Sequence, residues 1–368
     1  MHPSALVSLS KRYFDMFKKI SKYILVSIII FGCSKITVPL LQPKGEIAYL
    51  SRRDSDSGYR DNLEIFIMSE DGSWKRNLTN YPGHDYSPHF SHCGSKIAFL
   101  SERDERYHMY MMDITGGRLV SLVGKAISEG SIQFSPDGTK ILFVVGDGYD
   151  NYEIFIMDSD GRNQVNLTNH PAGDFSPHFA DGGTKIIFGS DRDSAPGGYH
   201  RRNIYIMDVS GSNIHWLTKN DSSNYFCSIS PDGSWILYNS NADGNMDVYK
   251  MRFDGSGKQN LTNNPAWDRG GSFSKDGTKI MFRSTRKNLG PDICIMDCDG
   301  SNQKILLESE TAENDQQFSP DGTKILFTSW SGNSRDIYTM DLDGQNIKQL
   351  TNDEYDNLRP MYRPKPFD

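Results

Sequence analysis

The chain has 368 residues, 36% hydrophobic and 24% charged, with a formal net charge of −7. That charge provides no overall positive field to hold nucleic-acid phosphates, and five scattered cysteines exclude a disulfide scaffold. Plentiful glycine (33), tyrosine (18) and phenylalanine (19) read as turn formers plus strand formers, hence an all-β fold with a modest core.

The first element in chain order is an address. Residues 24–31, ILVSIIIF, are an apolar run too short to span a bilayer but right for the core of a signal peptide, and Lys18, Lys19 and Lys22 precede it. The run ends in Ile30-Phe31-Gly32-Cys33, which resembles a bacterial lipobox, with Phe31 bulkier than usual. Cys33 is therefore expected to carry lipid, with residues 1–33 as the signal segment and Met16 as an alternative start. Removing residues 1–32 takes away five basic residues and one acidic one, leaving a more negative remainder whose membrane hold would be the lipid on Cys33. Residues 34–45 read as a linker and 365–368 as a tail.

Between them the sequence repeats. The tetrapeptide Ser135-Pro136-Asp137-Gly138 recurs at Ser230 and Ser319, with weaker copies at Ser91, Ala180 and Ser274, a period of 44 to 50 residues. After each comes a short apolar run (IAFL at 97, ILFV at 141, IIFG at 186, ILYN at 236, IMFR at 280, ILFT at 325), and IAYL at 47 adds a seventh. A second run follows (IFIMD at 154, IYIMD at 204, ICIMD at 293), then a glycine turn, then Leu-Thr-Asn as at Leu78, Leu167, Leu261 and Leu350. Each unit thus holds four short strands, which is one propeller blade, and residues 46–364 are predicted to form seven. The chain starts inside a blade and ends with Asn357–Tyr362, which aligns with the first strand Asp174–Phe179. That last segment is predicted to complete the N-terminal blade and close the ring.

These SPDGTKI-F and I-IMD-DGSN-LTN patterns resemble the WD-like repeats of the TolB family of secreted bacterial propellers, and of propellers attached to prolyl-oligopeptidase-type enzymes. The resemblance implies the fold and says little about function. TolB proper has six blades and an N-terminal α/β domain; this chain has seven blades and no room for that domain.

Strand order places the short SPDG and DG turns on one face and the longer, variable loops after the second strands (from 51, 190 and 284) on the other, where binding usually resides. Five positions before the first-strand aromatics stands a column of carboxylates and amides: Asp85, Glu129, Asp174, Asn224, Asp268, Glu313 and Asn357. One reading is a ligand or divalent-cation site at the channel mouth; the other is side chains capping the turn into each strand. Asp158-x-Asp160-Gly161 and Asp341-x-Asp343-Gly344 resemble the start of a calcium loop but read as hairpin turns, lacking the distal glutamate. The Asn-Leu-Thr sequons at 77, 166 and 260 are by-products of the repeat, and Cys294 and Cys298, about 13 Å apart on an extended run, are beyond disulfide reach. No G-x-S-x-G elbow, Walker A loop or zinc-spaced cysteine set is present, so no catalytic residue, metal ligand or cofactor is assigned.

The expected function is a non-enzymatic, lipid-anchored or periplasmic propeller, monomeric, that presents its mouth to an envelope protein or cell-wall component. The alternative is a propeller-only enzyme: the layout resembles seven-bladed polysaccharide lyases such as oligogalacturonate lyase, which use a His-bound divalent metal. His84, His108, His170 and His200 are the loop histidines available for that role, and they share no spacing; His89 and His178 hold equivalent positions two blades apart.

Overall fold

The computed structural model describes residues 46–53, 62–104, 107–123, 132–146, 151–193, 201–287, 290–308 and 313–365. The leader with Cys33, Glu129, His200 and residues 366–368 lie outside them. Among the described residues twenty-eight strands form seven four-stranded antiparallel sheets. Blade 1 joins Glu46–Arg53, Asn62–Ser69 and Lys75–Asn77 to the last strand, Asn357–Tyr362. Blades 2 to 7 follow in chain order, opening with Asp85–Phe90, Gln133–Phe134, Asp174–Ala180, Asn224–Ile229, Asp268–Phe273 and Asn314–Phe318. Among the described residues the one helical piece is a 3₁₀ turn, Asp181–Gly183, and no helix is long and apolar enough to cross a membrane.

The repeated tetrapeptide has a local cause. In blade 3 the Ser135 hydroxyl donates to Asp137 Oδ1 (2.5 Å) and accepts from the Lys140 amide (2.9 Å), while the Thr139 amide donates to the same carboxylate (3.0 Å). Gly138 closes the turn at φ +72°, a conformation that side chains with a Cβ resist. The second turn docks one blade on the previous one: a Cβ at Gly300 would stand 2.9 Å from the Leu261 carbonyl, and one at Gly211 2.9 Å from that of Leu167. The Leu-Thr-Asn leucines are buried, and Thr168 and Thr262 each accept the amide at the start of a third strand.

The core is a ring of aromatic residues, one from the second strand of each blade. Tyr49, Phe99, Phe143, Phe188, Tyr238, Phe282 and Phe327 are all at most 3% exposed. Six of them lie against an aromatic of the third strand, as Phe143 does on Phe155 at 5.6 Å and Tyr238 on Tyr249 at 5.4 Å. The ring is closed as the sequence predicts. Ile47 pairs with Tyr362, Ala48 with Met361, Leu50 with Leu358 and Ser51 with Asn357. Beyond the strand, the Arg363 guanidinium meets Glu46 (2.6 Å) and the Gly94 carbonyl of blade 2 (2.7 Å).

Candidate functional site

The described members of the acidic column stand at the start of the innermost strands, on the variable-loop side, and all are buried. Asp85, Asp174, Asn224, Asp268, Glu313 and Asn357 are each 0% exposed. Three of the carboxylates face an arginine of their own blade: Asp85 meets Arg103 (3.1 Å), Asp174 meets Arg192 (2.8 Å) and Asp268 meets Arg286 (2.9 Å). Each arginine also lies over core aromatics, Arg103 over Tyr110 and Arg192 over Tyr205. The Ser101 hydroxyl accepts from Arg103 Nε, and the Ser190 hydroxyl from Arg192 Nε. Asn224 donates to Asn203, Asn220 and the Ser222 carbonyl; Asn357 donates to Asp353 and accepts from Ser51; Glu313 accepts from Ser329 at 3.2 Å.

The arginine partners were not singled out in the sequence, although a signal existed. Ser51-x-Arg53, Ser101-x-Arg103, Ser190-x-Arg192 and Ser284-x-Arg286 stand at the ends of the second strands of four blades. Asp158 and Asp341 of the calcium-like turns are held by Lys140 and Asn163, and by Lys324 and Asn346. Three of the loop histidines are described and engaged: His84 Nδ1 accepts the Leu63 amide, His170 Nδ1 accepts the Ala172 amide, and His108 lies 3.6 Å from Asp104. Among the described residues no three His, Cys, Asp or Glu side chains converge as a metal site.

A departure from the repeat occurs on the variable-loop side of three adjacent blades. The residue that follows the core aromatic of the second strand, beside the column, is Leu50, Leu100, Val144 and Gly189 in blades 1 to 4. In blades 5 to 7 it is Asn239, Arg283 and Thr328. Its partner on the first strand changes likewise, from Leu358, Tyr86 and Phe175 to Arg269 and Asn314 in blades 6 and 7. A polar chain runs along this sector. The Cys227 thiol and the Gly270 amide donate to Asn239 Oδ1 (3.0 Å each), Arg283 Nη1 donates to Asn314 Oδ1 (2.6 Å), and Thr328 and the Arg359 amide donate to Asp315 Oδ2 (3.1 Å each). Burial pushes the Cys227 thiol up to about 12, so at neutral pH it keeps its proton.

The same sector carries exposed aromatics. Tyr225 and Trp267, beside the first strands of blades 5 and 6, are 39% and 56% exposed, and Trp330, on the second strand of blade 7, is 38% exposed. On the opposite face, clefts of about 280 and 600 Å³ lie between neighbouring turns, lined by scaffold residues such as Pro231, Asp232 and Gly277, and Pro136, Asp181 and Phe253.

A family model described as the TolB beta propeller domain matches residues 42–202 and 198–365. Solved structures share the fold at low identity. TolB from Acinetobacter baumannii is 21% identical, with 88% of this chain and 67% of that one covered and a TM-score of 0.57. The propeller domain of the Trilobed protease from Pyrococcus furiosus is 17% identical (83% and 92% covered, TM-score 0.65). Oligogalacturonate lyase from Vibrio parahaemolyticus is 13% identical (80% and 91% covered, TM-score 0.61). Identities this low speak for the fold and not for an activity.

Proposed function

This chain belongs to the TolB beta-propeller family, and from that premise we propose that it is a binding module of the bacterial cell envelope, without catalytic activity of its own. It would be exported, held to a membrane by lipid on Cys33, and bind an envelope protein or cell-wall component over the mouth of blades 5 to 7. The observation that carries this reading is the exposed Tyr225, Trp267 and Trp330 on the variable-loop side of blades 5 to 7, the sector that also holds the Arg269–Arg283 register pair. Exposed aromatics with arginine are what a recognition surface needs, since they give large contact area at low ordering cost. Arg103, Arg192 and Arg286 are already spent on buried carboxylates, so their charge serves the scaffold. The described members of the column, Asp85, Asp174, Asn224, Asp268, Glu313 and Asn357, would support this mouth from beneath.

The test sets binding against turnover. The purified full chain, incubated with oligogalacturonate and with peptide substrates, with and without divalent metal, is expected to leave both intact. Release of unsaturated sugar product or of peptide fragments would place it among enzymes. Mass spectrometry of the native N-terminus is expected to find lipidated Cys33 as the first residue; an intact leader would remove the anchoring part of the proposal.

A further inference from the structure

Arg283 is the residue the repeat accounts for least. The scaffold works with leucine at this place in blades 1 and 2, where Leu50 and Leu100 are buried. Blade 6 instead sets Arg283 directly opposite Arg269, two like charges in one register pair. Such a pair is unfavourable unless something negative lies close. Asp315 is the acidic group acting on Arg283, and its carboxylate already takes Thr328 and the Arg359 amide.

Two buried donors at this spot lack acceptors. Arg283 spends Nη1 on Asn314, while its Nε is buried with no partner. Asn239 is 7% exposed, and its amide orientation is fixed because Oδ1 accepts the Gly270 amide. Its Nδ2 is then a buried donor without a partner as well. The glycine completes the arrangement. The bulge of the innermost strand is a left-handed residue in other blades too, where it is Ser87 (φ +51°), Ser176 (φ +48°), Asp315 (φ +55°) and Arg359 (φ +47°). The bulge alone therefore does not demand glycine at Gly270 (φ +73°). What the missing side chain does is leave room: a Cβ there would stand 3.6 Å from Arg283 Nε, 3.8 Å from its Nη2 and 3.6 Å from Gln316 Nε2.

We propose that the space in front of Gly270 is a carboxylate-binding site, in which Arg283 presents its Nε–Nη2 edge as a two-pronged donor, with Asn239 Nδ2 and Gln316 Nε2 beside it and Arg269 supplying further positive charge. The planar carboxylate matches the guanidinium edge, with two parallel charge-assisted hydrogen bonds. The inference deepens the binding reading above and rests on it, because it names the group that the mouth of blades 5 to 7 recognises. The carboxylate could belong to an acidic polypeptide or to a sugar acid, and the experiment separates the two.

Calorimetry on the full chain uses three probes: an end-blocked tetraglutamate peptide, tetragalacturonate and inorganic phosphate. Binding of the peptide or the oligosaccharide, weakened at least tenfold in both Arg283→Leu and Gly270→Ser, supports the site and identifies its source. Each variant installs a residue that another blade uses at the same position, so both are expected to fold, and Arg283→Leu is expected to keep or raise the melting temperature. Binding of phosphate as tight as that of either carboxylate, or carboxylate binding unchanged in both folded variants, overturns it. So does a large fall in melting temperature for Arg283→Leu with no loss of binding, which would make the arginine architecture. If no probe binds the parent chain, the carboxylate assignment fails, while the loop face as a binding surface stands or falls on cross-linking.

Discussion

Asp85 and Arg103 are eighteen residues apart in sequence and in contact in the fold. The carboxylate of this pair was legible as a column; its half-buried arginine was not. Sequence alignment shows a recurring polar residue but not its burial, and at 0% exposure a carboxylate must find a positive partner or lose its charge. The chain contains its own control. Where the column is Asn224, the arginine position is Ala242, and where it is Asn357, Arg53 turns to Asp353 instead. Arg103→Ala, which strands a buried carboxylate, is expected to cost about 3–5 kcal/mol in urea unfolding. Adding Asp85→Asn should restore most of that loss, because blade 5 is built in just that way. A double variant no more stable than Arg103→Ala would show that the pair does not act as a unit.

At the scale of the strand, the turns were the most legible elements and the innermost strands the least. Ser-Pro-Asp-Gly announces its own hydrogen bonds, since the serine and aspartate close the turn on neighbouring amides. The left-handed bulge in the innermost strands has no such signature: it occurs at Ser87, Gly270, Asp315 and Arg359 alike. The bulge places His89 and His178 so that each Nδ1 lies 3.0 Å from the carbonyl of the bulged serine, Ser87 or Ser176. Burial lowers the pKa of both histidines below the ordinary value, with Arg359 adding to the effect on His89 and His89 to that on His178. The unfolded chain therefore takes up these protons first. Their contribution to stability is fully present above about pH 6.5 and is lost as the pH falls, by at most about 1.4 kcal/mol per pH unit for each histidine. Asp85, raised by burial to about 6, acts in the opposite sense: its contribution is present below about pH 4 and is lost as the pH rises through 6. The histidine effect is thus read as a difference between chains. His89→Gln with His178→Gln installs the residue that blades 3 and 7 use at this place, Gln133 and Gln317, each accepting an amide of the next blade. The double variant should lose less stability than the parent between pH 6.5 and 5; parallel curves would remove the histidines from the account.

For the whole molecule, number of blades and mode of closure followed from the repeat and from the unpaired first strand at its end. The latch did not: Arg363 lies beyond the last strand, and only the folded ring brings it to Glu46 and Gly94. Arg363→Ala is expected to cost about 3 kcal/mol, because Glu46 is 7% exposed and loses its counter-charge. Ending the chain at Tyr355 removes the closing strand with its buried Tyr362, opens two sheet edges and should abolish a single cooperative unfolding transition. A truncated chain with an unchanged melting curve would contradict closure by this strand. The concentration of polar and exposed aromatic residues in blades 5 to 7 was equally invisible in a repeat read for what its copies share; it emerges from what the copies do differently. That sector is the core of the functional account, and site-specific photo-cross-linking in cells tests it most directly. A photoreactive phenylalanine analogue placed singly at Tyr225, Trp267 or Trp330 should give covalent adducts with envelope protein or cell-wall material, whereas the same group at Lys275 or Asp299, on the turn face, should give none. Adducts from the turn face with silence from blades 5 to 7 would contradict the account.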